Sequence, residues 1–496
     1  MTRESSISLI VKNAGIDGVG TVLNAAIMFA ASVTITRTIG AELFGKYSLA
    51  FSIFQVVGLF AIFGLNSGVV KLTAKYAIRR DRGSVKGTLM GGMTLTAAAS
   101  TVLTLIVIAI APLLASRVFK NVQGIDLILR VYIIGLPFFA LMMVINGYIQ
   151  GLKTLKYSVL VELILRPAIR LCVIVTLFIL GLRLFAVVFG SVFSLIVASV
   201  IAFYFARKIS PFDFRSTRAT LVTRELFFYS LPLVFARFFT VIVPRSNTIL
   251  VAYFTDPVKT GLFGAAVALS PFMSLSLLSF GKIFAPVVSE LWENGDMTAL
   301  ESHLKIVTKW VFAVGFPVCL VFLLFSPSIL QIFGPDFVPA ASTLRLIAIG
   351  QMVNLIVGPI GYVLTMTGRQ KLNLMNSIGL AILNIGLNLA FVPRWGIAGA
   401  ALGIMISMCA VNIVRVIQVK RLYGFTPFKV DILKPVGAGA ITVVVFYFLN
   451  RYLMWYDIPH TIALCAGFIT VYGPLLYLFG LKEEKRVLMD ILKRRK

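Results

Sequence analysis

Residues 158–182 read SVLVELILRPAIRLCVIVTLFILGL. The stretch is long and apolar enough to cross a bilayer, since a spanning helix needs about 20 mainly apolar residues. It nevertheless carries Glu162, Arg166 and Arg170. A charged side chain at the centre of a membrane helix costs at least about 2.5–3.5 kcal/mol on insertion scales. The stretch therefore predicts a membrane span whose cations have a partner.

Three more cations, Arg237, Arg245 and Lys282, fall inside similar apolar runs. Only Asp17 and Glu162 lie at comparable depth. Protein counter-charges cannot neutralise all five cations, and an anionic substrate passing through the membrane interior is the simplest missing partner. Arg166 and Arg170 are four apart and share a helix face, with Glu162 one turn earlier. Arg237 and Arg245 are eight apart, about 12 Å along one helix and within about 80° of the same face. Pro167, Pro232 and Pro244 adjoin these arginines. Irregular backbone at membrane depth is tolerated where it lines protein or water rather than lipid.

Each charge also has a structural reading. Lys282 and Arg245 can snorkel to the interface. Arg166 can pair with Glu162. Asp17 can bind a coupling proton or sodium ion, or pair with one of the arginines. Asn24, Asn66, Asn247 and Asn354 are candidate contacts for sugar hydroxyls, against the ordinary reading of interhelical hydrogen bonds.

The rest of the chain agrees with a membrane setting. Of its 496 residues 59% are hydrophobic and the mean hydropathy is +0.96. Soluble domains run nearer 45–50% apolar. Fourteen spans are expected, near 14–36, 48–70, 88–112, 129–149, 158–182, 184–205, 226–252, 261–288, 305–327, 341–366, 372–392, 395–417, 432–450 and 460–480. The net charge of +27 gathers in short loops, so topology explains it better than nucleic acid does. About 30 Lys and Arg fall on one side of these spans and about 9 on the other, which places both termini in the cytoplasm. No removable signal peptide is recognised, and the first span is expected to be retained.

A faint internal repeat links AELFGKYSLAFSIFQVVGLFAIFGLNSGVVKLTAKY to DPVKTGLFGAAVALSPFMSLSLLSFGKIFAPVVSELW. Aligning Gly45 with Gly261 sets a Gly-x-aromatic start before each apolar run and brings Tyr76 opposite Trp292. Internal repeats are common in transporters and put the substrate site at their interface. The expected fold is all-α and polytopic. Residues 1–210 and 211–425 form two six-helix bundles, and 426–496 add two helices and a basic tail. A monomer is expected, because the repeat supplies its own interface.

Enzymatic readings fail. There is no Ser-His-Asp set and no cluster of His, Cys or carboxylates to hold a metal. No cofactor is expected. A membrane glycosyltransferase or polymerase would place acidic residues on a sizeable outer loop, and the sequence has none.

The stretches TRTIGAELFGKYSLAFSIFQVVGLFAIFGLNSGVVKLTAKYAIRRDR (36–82), NGYIQGLKTLKYS (146–158) and TGRQKLNLMNSIGLAILNIGLNLAFVPRWGIAGAALGIMIS (367–407) carry a resemblance. The first, Gly40 through Tyr47 followed by Gly64 and Lys71, looks like the first-loop pattern of a known family. The last, with Pro393 and Gly396 to Ala401, looks like that family's C-terminal pattern. The chain resembles the Wzx-type oligosaccharide flippases, the polysaccharide exporter branch of the multidrug/oligosaccharidyl-lipid/polysaccharide (MOP) superfamily. The resemblance implies a V-shaped pair of bundles working by alternating access. It also implies a polyprenyl-pyrophosphate-linked oligosaccharide as substrate, in the cell membrane. Lipid II flippases and sporulation-type relatives share the fold and a basic cavity and stay as alternatives. A multidrug antiporter is a further one, although cationic drugs call for buried carboxylates.

Overall fold

The structure is a computed structural model. It describes the backbone of residues 3–453 and 458–478. Within those limits it describes side chains from 18 onward, except at 235–237, 240, 447, 449–453, 458 and 460. Every regular element among the described residues is helical.

Contacts divide the chain into two compact units, Met1–Gly264 and Ala265–Lys496. In the first lie α1 (Arg3–Ile62), α2 (Leu65–Ile78), α3 (Arg82–Leu113), α4 (Ile125–Ile133), α5 (Leu136–Gly151), α6 (Leu155–Val159), α7 (Arg166–Ile179), α8 (Arg183–Ile209) and α9 (Thr223–Phe254). The helix α10 (Pro257–Glu293) runs from the first unit into the second. There follow α11 (Met297–Leu324), α12 (Ser326–Phe333), α13 (Ala341–Val357), α14 (Ile360–Met366), α15 (Gln370–Tyr423), α16 (Leu433–Leu453) and α17 (Ile458–Leu476).

Eight helices are long and apolar enough to cross a membrane, where fourteen separate spans were expected. Part of the difference lies in continuity. The spans expected at 14–36 and 48–70 belong to one run, α1, bent at Gly40 with φ 75°. Those expected at 372–392 and 395–417 belong to α15, bent at Gly396 with φ 55°. Only glycine enters that left-handed region without a steric penalty. A hydrophobicity window sees two apolar runs at each place, but the backbone bends without losing its helical neighbours. Conversely, the run expected at 341–366 is broken after Val357 by Gly358 and Pro359.

The first-unit core is a close helix stack. The helix α5 packs against α2, α3 and α8, and α9 packs along α1, α2 and α3. The sequence reading ended its first bundle at 210, whereas α9 packs with the first unit. The approach is tight: a Cβ on Gly68 would strike the Ser230 hydroxyl, and one on Gly87 would strike the Thr220 carbonyl. In the second unit α13 packs on α11 and α15. A core of Phe284, Leu304, Val363, Leu364 and Val419 closes one end of it. The Tyr472 hydroxyl donates to the Ala313 carbonyl at 3.1 Å and ties α17 to α11.

Candidate functional site

The stretch that opened the sequence reading is not a plain helix. Between α6 and α7, residues Leu160–Leu165 form a π-helical turn. Pro167, the second residue of α7, explains its place. A proline has no N–H to give to the carbonyl four residues back, and its ring crowds that carbonyl. A widened turn relieves the clash, and such turns recur at functional sites. The wide turn takes Glu162 out of the one-turn register with Arg166 that an α-helix would impose. Glu162 accepts a hydrogen bond from Asn146 Nδ2 at 3.5 Å.

Past that turn, Arg166 and Arg170 line one cavity of the first unit together with Phe51, Phe54, Gln55 and Tyr132. Arg170 is held on two sides. Its Nη2 donates to the Tyr47 hydroxyl at 2.5 Å and its Nε donates to Ser191 Oγ at 3.1 Å. Its guanidinium also lies 5.6 Å from the centre of the Tyr47 ring. On the same helix face, Phe51 takes the guanidinium of Arg245 at 4.8 Å. Contacts of this kind are worth about 0.5–2 kcal/mol, more when desolvated.

Tyr47, Phe51 and Phe54 follow one another at spacings of four and three along α1, so they form one aromatic stripe. Tyr47 and Phe51 stack at 6.0 Å. Tyr132 meets the edges of Tyr47 at 6.0 Å and of Phe54 at 4.9 Å. Tyr47 and Tyr132 are 6% and 4% exposed, so the wall beneath the arginines is a fixed core surface. It brings cations from α7 and α9 to one face of α1. Among the described residues, none of Arg166, Arg170 and Arg245 is in an ion pair with a carboxylate. The group can hold an anion rich in oxygens. It contains no nucleophile and no proton-transfer pair, so it is built to bind.

The other expected residues fall elsewhere. Lys282 is an exposed residue of the second unit. Asp17 and the side chain of Arg237 lie outside the described residues. Asn24 keeps a buried Oδ1 with no hydrogen-bond partner. Asn66 Oδ1 accepts from Ser67 Oγ at 3.5 Å, and Asn247 is buried at 3% exposure. Asn354 belongs to a hydrogen-bonded row in the second unit, where Asn412 Nδ2 donates to its Oδ1 at 3.2 Å.

Sequence reasoning missed the aromatic stripe, Tyr132 and Ser191. It also passed over Arg415, another cation inside an expected span, although the signal was the one used for Arg170. The stripe had a signal too, its 4–3 spacing, but that spacing also marks ordinary core residues.

A second polar cluster lies where α2 turns toward α3. Glu225 accepts from Lys75 Nζ at 2.6 Å and from the Tyr76 hydroxyl at 2.5 Å. The hydrogen bond from Lys75, then that from Tyr76, holds the Glu225 carboxyl below its ordinary value. Nearby, Lys86 Nζ donates to the carbonyls of Phe214 and Thr217 and fastens the linker after α8.

Membrane-length helices, polar groups held at depth and a cation cluster define a membrane transporter. The pattern of the polysaccharide biosynthesis protein family matches residues 10–292, and that of the MatE family matches 232–390. The chain belongs to the polysaccharide biosynthesis protein family, within the MOP transporter superfamily. It is 25% identical over 490 residues to the stage V sporulation protein B of Bacillus subtilis, covering 92% of this chain and 93% of that one. It is also 25% identical over 253 residues to the probable flippase AglR of Haloferax volcanii, covering 49% and 51%. Among solved structures it is similar to the lipid II flippase MurJ in an inward closed conformation. That match has a TM-score of 0.71 at 16% identity, over 95% of this chain and 99% of that one, and shows the shared fold.

Proposed function

We propose that this transporter flips a polyprenyl-pyrophosphate-linked oligosaccharide from the cytoplasmic to the outer leaflet, with the pyrophosphate held by Arg170, Arg166 and Arg245. The observation that carries the reading is the placement of these arginines on one aromatic wall with no ion-paired carboxylate among the described residues. A diphosphate presents several charged oxygens, and planar guanidinium groups match them in pairs. Arg237 and Lys282 are the further cations of the ladder, and Asp17 and Glu162 its acids. Asn24, Asn66, Asn247 and Asn354 are the glycan contacts. The topology that goes with this reading has fourteen spans and both termini in the cytoplasm, and the protein works as a monomer by alternating access.

Lipid II is the alternative cargo, since its carrier has the same charged group. A cation antiporter fits less well, because the deep charges here are mostly positive. The test uses proteoliposomes carrying a fluorescent polyprenyl-pyrophosphate sugar and a quencher that stays outside. Wild-type protein should expose the label to the quencher, and Arg170→Ala should stop that with folding intact. Transport of cationic dyes with no movement of the lipid would sink the reading.

A further inference from the structure

The second unit holds a buried cation that the reading above does not use. Arg415, on α15, is in no ion pair with a described carboxylate, and its Nε is buried with no hydrogen-bond partner. Its Nη1 donates to Asn412 Oδ1 at 3.5 Å. Asn412 donates to Asn354 Oδ1 at 3.2 Å, and Asn354 to Gln351 Oε1 at 3.5 Å. Gln351 donates to Ser270 Oγ at 3.0 Å. Every amide in this row accepts on the arginine side and donates away from it. The guanidinium has no acceptor to spare, so it sets the direction of the whole row.

On the other side of Arg415 a space is left open. Asn373 Nδ2 donates to Thr365 Oγ1 at 3.1 Å, which leaves Asn373 Oδ1 buried and unpartnered. Gly361 lies between the two. A methyl group built on it would stand 3.8 Å from Asn373 Oδ1 and 4.0 Å from Arg415 Cζ, with no other heavy atom within 4 Å. A donor without an acceptor thus faces an acceptor without a donor across a glycine. Leaving either buried and unmade costs about 1–3 kcal/mol, more for a charged group. The neighbouring amides Asn376 and Gln418 are not part of this gap, because they satisfy each other at 2.7 and 2.9 Å.

We propose that Arg415 and Asn373 form a sugar-reading site for a hydroxylated carboxylate, and that the transported glycan carries an acidic sugar. Arg415 takes the carboxylate oxygen, and Asn373 Oδ1 accepts a hydrogen bond from an adjoining hydroxyl. Asn412 and Asn354 hold the guanidinium in place. The proposal rests on the flippase reading for the identity of the cargo, but the chemistry of the site stands on the two orphaned atoms. A neutral sugar satisfies Asn373 and leaves Arg415 unpaired, so the site discriminates by charge. A site made to pair with a polar group rejects an analogue that lacks it strongly.

The test compares binding of methyl glucuronide, methyl glucoside, inorganic phosphate and inorganic pyrophosphate to purified protein by calorimetry. Wild type should prefer the glucuronide over the glucoside by tenfold or more. Arg415→Ala should abolish that preference, and Arg415→Lys should keep part of it. Gly361→Ala fills the space at ordinary contact distance, so it should weaken glucuronide binding about tenfold while leaving thermal stability unchanged. This variant keeps the test decisive if Arg415→Ala does not fold. Equal affinity for glucuronide and glucoside overturns the proposal, as does a preference that survives Gly361→Ala. Phosphate competing with glucuronide at equal strength overturns the carboxylate assignment. Pyrophosphate binding that depends on Arg170 and ignores Gly361→Ala separates the two readings. Its absence, with the glucuronide preference intact, would count against the flippase reading and not against this site.

Discussion

Gly45 and Gly261, which match in the two sequence repeats, lie against each other in reciprocal backbone contact. A Cβ on Gly45 would fall on the carbonyl oxygen of Pro257, and a Cβ on Gly261 on that of Ala41. Each would also crowd the amide nitrogen of the other glycine. In lipid, helices associate through close packing of small residues rather than through the hydrophobic effect. The crossing of α1 with the start of α10 is such a contact.

This crossing predicts a coupling. Gly45→Ala and Gly261→Ala should each destabilise the protein by about 1–3 kcal/mol, the usual cost of overpacking. Either methyl prises apart the same two backbones, so the double variant should cost less than the sum. Residues in contact typically show interaction energies of about 0.5–3 kcal/mol. Unfolding in detergent measures this, and strictly additive losses would mean that the crossing is not shared.

Arg170 is oriented by Tyr47 and Ser191, which predicts a graded series. Tyr47→Phe keeps the ring under the guanidinium and removes one hydrogen bond to a charged group, worth about 1.5–3 kcal/mol. Pyrophosphate binding should weaken roughly ten- to a hundredfold, with Arg245 still stacked on Phe51. Arg170→Lys should retain part of the activity, and Arg170→Ala none. If Arg170→Ala combined with Glu162→Ala restores full flipping, Arg170 serves a structural pair and not the substrate.

Acid should loosen the Glu225 cluster. The folded carboxyl titrates below the ordinary value of about 4.3. The Lys75 and Tyr76 contacts therefore add stability above that value, and the addition disappears as pH falls through the lower folded value. Thermal unfolding from pH 6 down to 3 should show a loss that Glu225→Gln lacks. Parallel curves for the two proteins would remove the carboxylate from the account.

Topology is open to direct labelling. Single cysteines at Arg80, Arg215 and Lys420 should react only with reagents that enter the cell. Labelling of any of them by an impermeant reagent would overturn the span count and the cytoplasmic termini.

The membrane class, the helical fold and the arginine-bearing span were legible because charge inside an apolar run is costly wherever it occurs. The repeat signalled that Gly45 and Gly261 correspond, but not that they touch, since no local pattern encodes a crossing of distant segments. The span count blurred at Gly40 and Gly396, where one residue bends a helix that a hydropathy window divides. The wall of Tyr47, Phe51 and Phe54 stayed hidden because apolar residues at helical spacing mark any core. Arg415 was legible and overlooked. Its orphaned Nε was not legible, because that depends on how α13, α14 and α15 come together.

The π-helical turn at 160–165 has an evolutionary consequence. Such a turn is a helix carrying one residue more than its hydrogen bonds need. Deleting a single codon there would return the segment to α-geometry and rotate everything beyond it by about 100°. Arg166 and Arg170 would then leave the wall without any change to either residue. The charge preference of this scaffold is thus adjustable by length as well as by substitution, and a one-residue gap in this segment of a relative would mark a change of cargo.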